Sequence, residues 1–130
     1  MRRIHLAIGL LGVVAFLLTG QAMTHHVPNI HTLSAEVQLM YLSRHIYLLA
    51  AALVNLVLGL YLKLHPPGWR RTLQQIGSFL ILLSALSSLL AFISEPPFGF
   101  AGRGWRSYAG IIGLFAGVMA HLVASIAQEQ

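Results

Sequence analysis

The sequence predicts an all-α integral membrane protein: a single domain, 1–130, folded as an up-down-up-down four-helix bundle. Three observations predict it. Four apolar runs, 4–23, 39–62, 73–93 and 108–127, fill most of the 130-residue chain. Each reaches the roughly 20 residues a helix needs to cross about 30 Å of hydrocarbon. The composition is 57% hydrophobic and 8% charged, against about 25% charged in soluble domains. The links between runs are short, which makes successive helices antiparallel neighbours. Inside a bilayer each backbone polar group must be satisfied within the fold, and a helix does this within its own segment.

The first run follows Arg2 and Arg3 and ends near Thr19-Gly-Gln-Ala22. Signal peptides have that order of features, but this apolar run is long for one, so a retained helix is expected. The loop 24–38 carries Pro28 and Asn29, and Ser34-Ala-Glu-Val reads as the cap of a short helix within it. The second run stops at His65-Pro-Pro-Gly-Trp69, where proline and glycine cannot continue a helix. The third run leads into Glu95-Pro-Pro-Phe-Gly-Phe-Ala-Gly-Arg-Gly-Trp105, which is expected to be irregular. Tyr41, Trp105 and Tyr108 mark one membrane boundary, and Tyr61 and Trp69 the other.

The net charge is +5. Arg2, Arg3, Lys63, Arg70 and Arg71 lie on one side of the membrane. Arg44, Arg103 and Arg106 lie on the other, beside Glu36 and Glu95. The positive-inside rule then predicts both termini in the cytoplasm of a bacterial inner membrane. No basic stripe is interleaved with aromatics, so nucleic acid is not an expected partner. Glu36, Glu95 and Glu129 all lie outside the apolar runs, which excludes a mid-membrane carboxylate relay. The chain has no cysteine. That excludes disulfides, thiolate metal sites, iron–sulfur clusters and covalent c-type haem. No nucleophile elbow or phosphate-binding glycine loop is present. Ser84, Ser87 and Ser88 are mid-span, where serine commonly bonds back to its own helix.

Projected at helical spacing, each of three runs aligns histidine with small residues. On the first, His5, Gly9, Gly12, Phe16, Thr19, Met23 and His26 share a face. On the second, His45, Ala52, Asn55 and Gly59 do so. On the fourth, Gly110, Gly113, Gly117 and His121 do so. The glycines admit two readings: close helix packing, for which Gly113-x-x-x-Gly117 is suited, or a slot for a flat macrocycle. Asn55 reads as interhelical glue to a third-span serine. His121 is the sharpest residue, because an ionisable group inside an apolar span is a functional hypothesis by default. By depth, His5 pairs with His121, and His45 with His25 and His26.

Four spans, histidines near each leaflet and glycines facing them resemble the membrane b-type cytochromes. The resemblance implies noncovalent haem b and electron transfer with a redox partner. His45 and His121 would be the first axial ligands, then His5, His26 or Met23, while Arg44, Arg103 and Arg106 would hold the propionates. Those cytochromes carry two histidines on one helix about half a membrane apart. No span here does, which favours one haem over two. Leu18-Thr-Gly-Gln-Ala-Met23 and Ser43-Arg-His-Ile-Tyr47 also resemble small uncharacterised four-span bacterial membrane proteins, a likeness that implies no activity.

Two other functions are open. One is a cofactor-free accessory or scaffold subunit of a larger membrane complex, with a homodimer possible through Gly113 and Gly117. The other is an outer-face site for copper or another metal, drawn from Met23, His25, His26, His31, Met40 and His45, since imidazole with thioether suits copper.

Overall fold

The computed structural model describes residues 1–25, 29–101 and 104–126. They form α1 (Arg2–His25), α2 (Ala35–Tyr61), α3 (Trp69–Ser94) and α4 (Trp105–Ile126). All four are long and apolar enough to cross a membrane. The protein is an integral membrane four-helix bundle, and the described residues contain no strand. His26 and Arg103 lie outside the described residues.

Each helix starts before its apolar run, α1 and α3 also end after theirs, and the ends have local causes. The Ser34 hydroxyl accepts from the Val37 N–H at 3.4 Å. It therefore caps α2 itself, where the sequence suggested a separate short helix. Glu36 sits in the first turn of α2 and suits the positive end of the helix dipole. Before that cap, Ile30–Thr32 forms a single 3-10 turn, with the Asn29 side chain accepting from the His31 N–H. The loop after α2 turns at Gly68, whose φ of +151° favours glycine. Gln74 clamps this loop, accepting from the His65 N–H at 2.9 Å and donating to the Lys63 carbonyl at 3.2 Å. The segment expected to be irregular contains a 3-10 helix, Pro96–Ala101. Two consecutive prolines hold φ near the value that a 3-10 turn requires.

The helices α2 and α3 form the centre, with α1 packed on α2 and α4 packed on α3. The packing is backbone-close because the seams are lined with glycine. A Cβ at Gly9 would fall 2.7 Å from the Leu56 nitrogen, and one at Gly12 2.7 Å from the Ala52 Cβ. One at Gly59 would fall 2.6 Å from the Leu6 backbone. Across the α3–α4 seam, Gly77 and Gly117 each meet the other's carbonyl. Without a hydrophobic force between helices in lipid, such close contact is the main source of association. The core between the hairpins is small and apolar: Leu48, Ala51, Ala52, Ile81, Ala85 and Ala91. Large apolar side chains such as Leu11, Leu18, Ile112 and Phe115 point outward.

Two arginines tie off helix ends. Arg2 donates to the Gly59 carbonyl at 3.1 Å. Arg70 donates twice to the Ala124 carbonyl, at 2.9 and 2.8 Å, near the negative end of α4.

Candidate functional site

Each helix contributes one polar residue to a cluster in the half of the bundle that holds the chain termini: His5, Asn55, Ser78 and His121. Three of them, His5, Asn55 and Ser78, are fully buried. Asn55 donates through Nδ2 to the carbonyls of Ala51 at 2.8 Å and Ile81 at 3.4 Å. Its Oδ1 is therefore an acceptor, and Nδ1 of His5, 2.7 Å away, donates to it. The expected partner for Asn55 was a third-span serine. The actual partners are a histidine of α1 and a backbone carbonyl of α3. With the Nδ1–H committed to Asn55, Nε2 would carry the lone pair of a neutral ring, and among the described residues this atom is buried without a hydrogen-bond partner.

His121 reaches the same seam from α4. Its Nε2 lies 3.1 Å from the Ser78 hydroxyl, and its Cδ2 edge leans on Gly77. His5 is thus bonded to α2 and His121 to α3.

At the other end, His45 is turned against α1. Its ring stacks on Phe16 with centroids 4.0 Å apart and planes 18° from parallel. Its Nδ1 is 3.1 Å from the Thr19 hydroxyl, and its Nε2 edge covers Gly20. Phe92 flanks it from α3 at 6.0 Å. The space left by Gly20 is thus filled by the imidazole itself. Met23 is half-buried and His25 exposed on the last turn of α1. Among the described residues, no group of three or more His, Cys, Asp or Glu side chains that could hold a metal gathers here or elsewhere.

Glu95, which the sequence placed only near the outer arginines, organises this end. It is 4% exposed. Its Oε1 accepts from the backbone N–H groups of Arg106 at 2.9 Å and Ser107 at 3.1 Å. Its Oε2 accepts from Arg44 at 3.1 Å and from the Ser107 hydroxyl at 2.5 Å. The carboxylate therefore caps the start of α4 from the end of α3 and anchors α2 to both. Burial alone would raise the Glu95 carboxyl. The bonds from the Ser107 hydroxyl and backbone N–H, then the Arg44 guanidinium, outweigh it and hold the group below its ordinary value. Gly104 leaves the room: a Cβ there would fall 2.9 Å from Arg44 Nη2. Arg106 lies over the Trp105 ring at 4.8 Å and donates to Ser94 at 3.2 Å. The Ser87 hydroxyl bonds the Arg106 carbonyl of α4, not its own helix.

A haem needs a flat slot beside one or two free axial donors. At the His45 end the ring is packed flat on Phe16, and Arg44 is committed to an internal carboxylate. At the end that holds the chain termini, His5 offers a free nitrogen, but Gly9 and Gly12 on its helix are covered by Leu56 and Ala52 of α2. Gly117 is buried on Gly77 and Ile81, and Gly113 rests on Leu80 and Ser84. The dimer expectation through Gly113 and Gly117 assigns to a second chain a contact that α3 of the same chain makes. As arranged, the described residues do not fit a haem.

The chain matches no protein-family model, no curated protein and no solved structure.

Proposed function

We propose that the protein is a cofactor-free accessory subunit of a membrane complex, seated in a bacterial inner membrane with both termini in the cytoplasm. One observation carries this reading: the glycine faces of α1, α2, α3 and α4 are closed by the chain's own atoms. Small residues used in this way make a rigid bundle whose outward faces are almost wholly apolar. Such a body contributes shape and packing to larger neighbours. The charge asymmetry of Arg2, Arg3, Lys63, Arg70 and Arg71 against Arg44, Arg103 and Arg106 supports the orientation.

A second reading rests on Nε2 of His5. A histidine whose Nδ1–H is held by a carbonyl, with Nε2 free, is arranged as metal-bound imidazoles are. In that reading His5 is an axial ligand to haem b, His121 lies nearby, and the protein transfers electrons to a redox partner. The seams at Gly9 and Gly77 would have to part to admit the macrocycle.

Two measurements decide. The protein is extracted from its native membrane in mild detergent and run on a native gel; the accessory reading expects a discrete species larger than the free chain. Migration as the monomer alone rejects it. A visible spectrum of the same preparation is expected to be colourless. A Soret band that shifts on reduction and disappears in His5→Ala establishes the second reading instead.

A further inference from the structure

Because α2 and α4 both pack on α3 but scarcely touch each other, a lateral groove runs between them. Its deeper part, about 310 Å³, is lined by Leu53, Val54, Val57, Leu58, Val118 and His121. A second part, about 340 Å³, continues toward the membrane boundary past Tyr61, Lys63, His65, Gln74 and Ser125. Val57, Leu58 and His121 line both parts, so the two form one strip, apolar inside and basic at the mouth.

We propose that this strip binds one anionic phospholipid from the leaflet at the Lys63 end. An acyl chain lies along Leu53, Val54, Val57 and Val118, and the phosphate meets Lys63 and His65. Three features select this occupant. Charge comes first: among the described residues, the lining of the mouth carries Lys63 and no acid. A cationic pocket between spanning helices at a membrane boundary favours anionic headgroups. Polarity follows the depth expected of a lipid, with hydrocarbon contacts inside and polar contacts at the edge. His121 supplies the third. Its Nε2 is held by Ser78, while Nδ1 forms no hydrogen bond with the described residues and the ring lines the groove. A polar atom at that depth, such as a glycerol ester carbonyl, would satisfy a donor there. The loop is already shaped for this: Gln74 bonds the backbone at Lys63 and His65, leaving both side chains free of it.

The test uses the full chain purified in detergent and stripped of lipid. It is titrated with phosphatidylglycerol and, separately, with phosphatidylethanolamine, and bound lipid is counted by native mass spectrometry. Phosphatidylglycerol is expected to bind at one copy per chain and to outcompete phosphatidylethanolamine. Lys63→Gln is expected to weaken that binding about five-fold, and Lys63→Arg to retain it. Lys63 is exposed, so its replacement leaves the bundle folded; an unchanged circular dichroism melt checks this. Val57→Trp, which fills the groove, is expected to block both lipids. Equal binding of the two lipids, or phosphatidylglycerol binding untouched by Lys63→Gln, overturns the proposal. Failure here leaves the accessory reading standing, because the native gel does not depend on this groove.

Discussion

Asn55 and His5 form the buried hydrogen bond on which the inner cluster rests. Each is fully buried, so neither can exchange its partner for water. Polar bonds between membrane helices are worth about 0.6–2 kcal/mol, yet leaving one member orphaned costs about 1–3 kcal/mol. The asymmetry makes a definite prediction. Asn55→Leu strands the Nδ1–H of His5 and is expected to destabilise the bundle by about 2 kcal/mol. His5→Leu with Asn55→Leu together are expected to cost less than the sum of the single changes, because no donor is then left unpaired. Thermal unfolding in one detergent, read for all four members of the cycle, measures the coupling. Additive single costs would show that the 2.7 Å contact contributes no energy. The sequence put His5 and His121 at one depth and marked Asn55 as glue. It did not reveal which partner Asn55 would choose, because the three-and-four period sets a residue's face and says nothing of the neighbouring helix's rotation. Ser78 was invisible for the same reason: nothing separates it from Ser84 until α4 is placed.

At the level of elements, the glycines divide by what they touch. Gly117 has Ile81 Cγ1 at 2.5 Å and the Gly77 carbonyl at 2.7 Å from any added Cβ. A backbone carbonyl cannot move aside without shifting α3. Gly117→Ala is therefore expected to cost about 1–3 kcal/mol, as overpacking does. Gly113 would place its Cβ 3.5 Å from the Leu80 carbonyl and 3.7 Å from Ser84, ordinary contact distances. Gly113→Ala is expected to be neutral or to stabilise by up to about 1 kcal/mol, through its helix propensity. Melting curves of the two variants test the split. If the pair instead joined two chains, both variants would lower the dimer fraction and neither would shift the monomer's melting. The four spans were legible because length and hydropathy alone decide them. The glycine stripes were legible as faces, but packing and a ligand slot require the same missing side chains. Only the position of Leu56, Ala52 and Leu6 against them separates the two.

At the level of the whole molecule, the two hairpins meet chiefly through α2 and α3, and the end opposite the chain termini is fastened by one carboxylate. Glu95 bonds α2 through Arg44 and α4 through the first-turn N–H groups of Arg106 and Ser107. The sequence offered one clue to this. The start of α4 follows Gly104 and has no acid in its first turn, so its unpaired N–H groups had to find an acceptor elsewhere. The acid that supplies it is brought back by Pro96–Ala101, a geometry that span-finding does not address. The pH consequence has a fixed sign. The folded carboxyl titrates below its ordinary value of 4.5, so the ionised form is the one that folding favours. Its contribution to stability is complete above that ordinary value. It is lost as pH falls from there through the lower folded value, and below both no further loss from this group occurs. Melting temperature in detergent is therefore expected to fall on acidification through this window. Glu95→Gln is expected to melt lower than the parent at neutral pH and to flatten the acid decline. An acid limb of the same slope in the Glu95→Gln variant would assign the fastening of α4 to contacts other than this carboxylate.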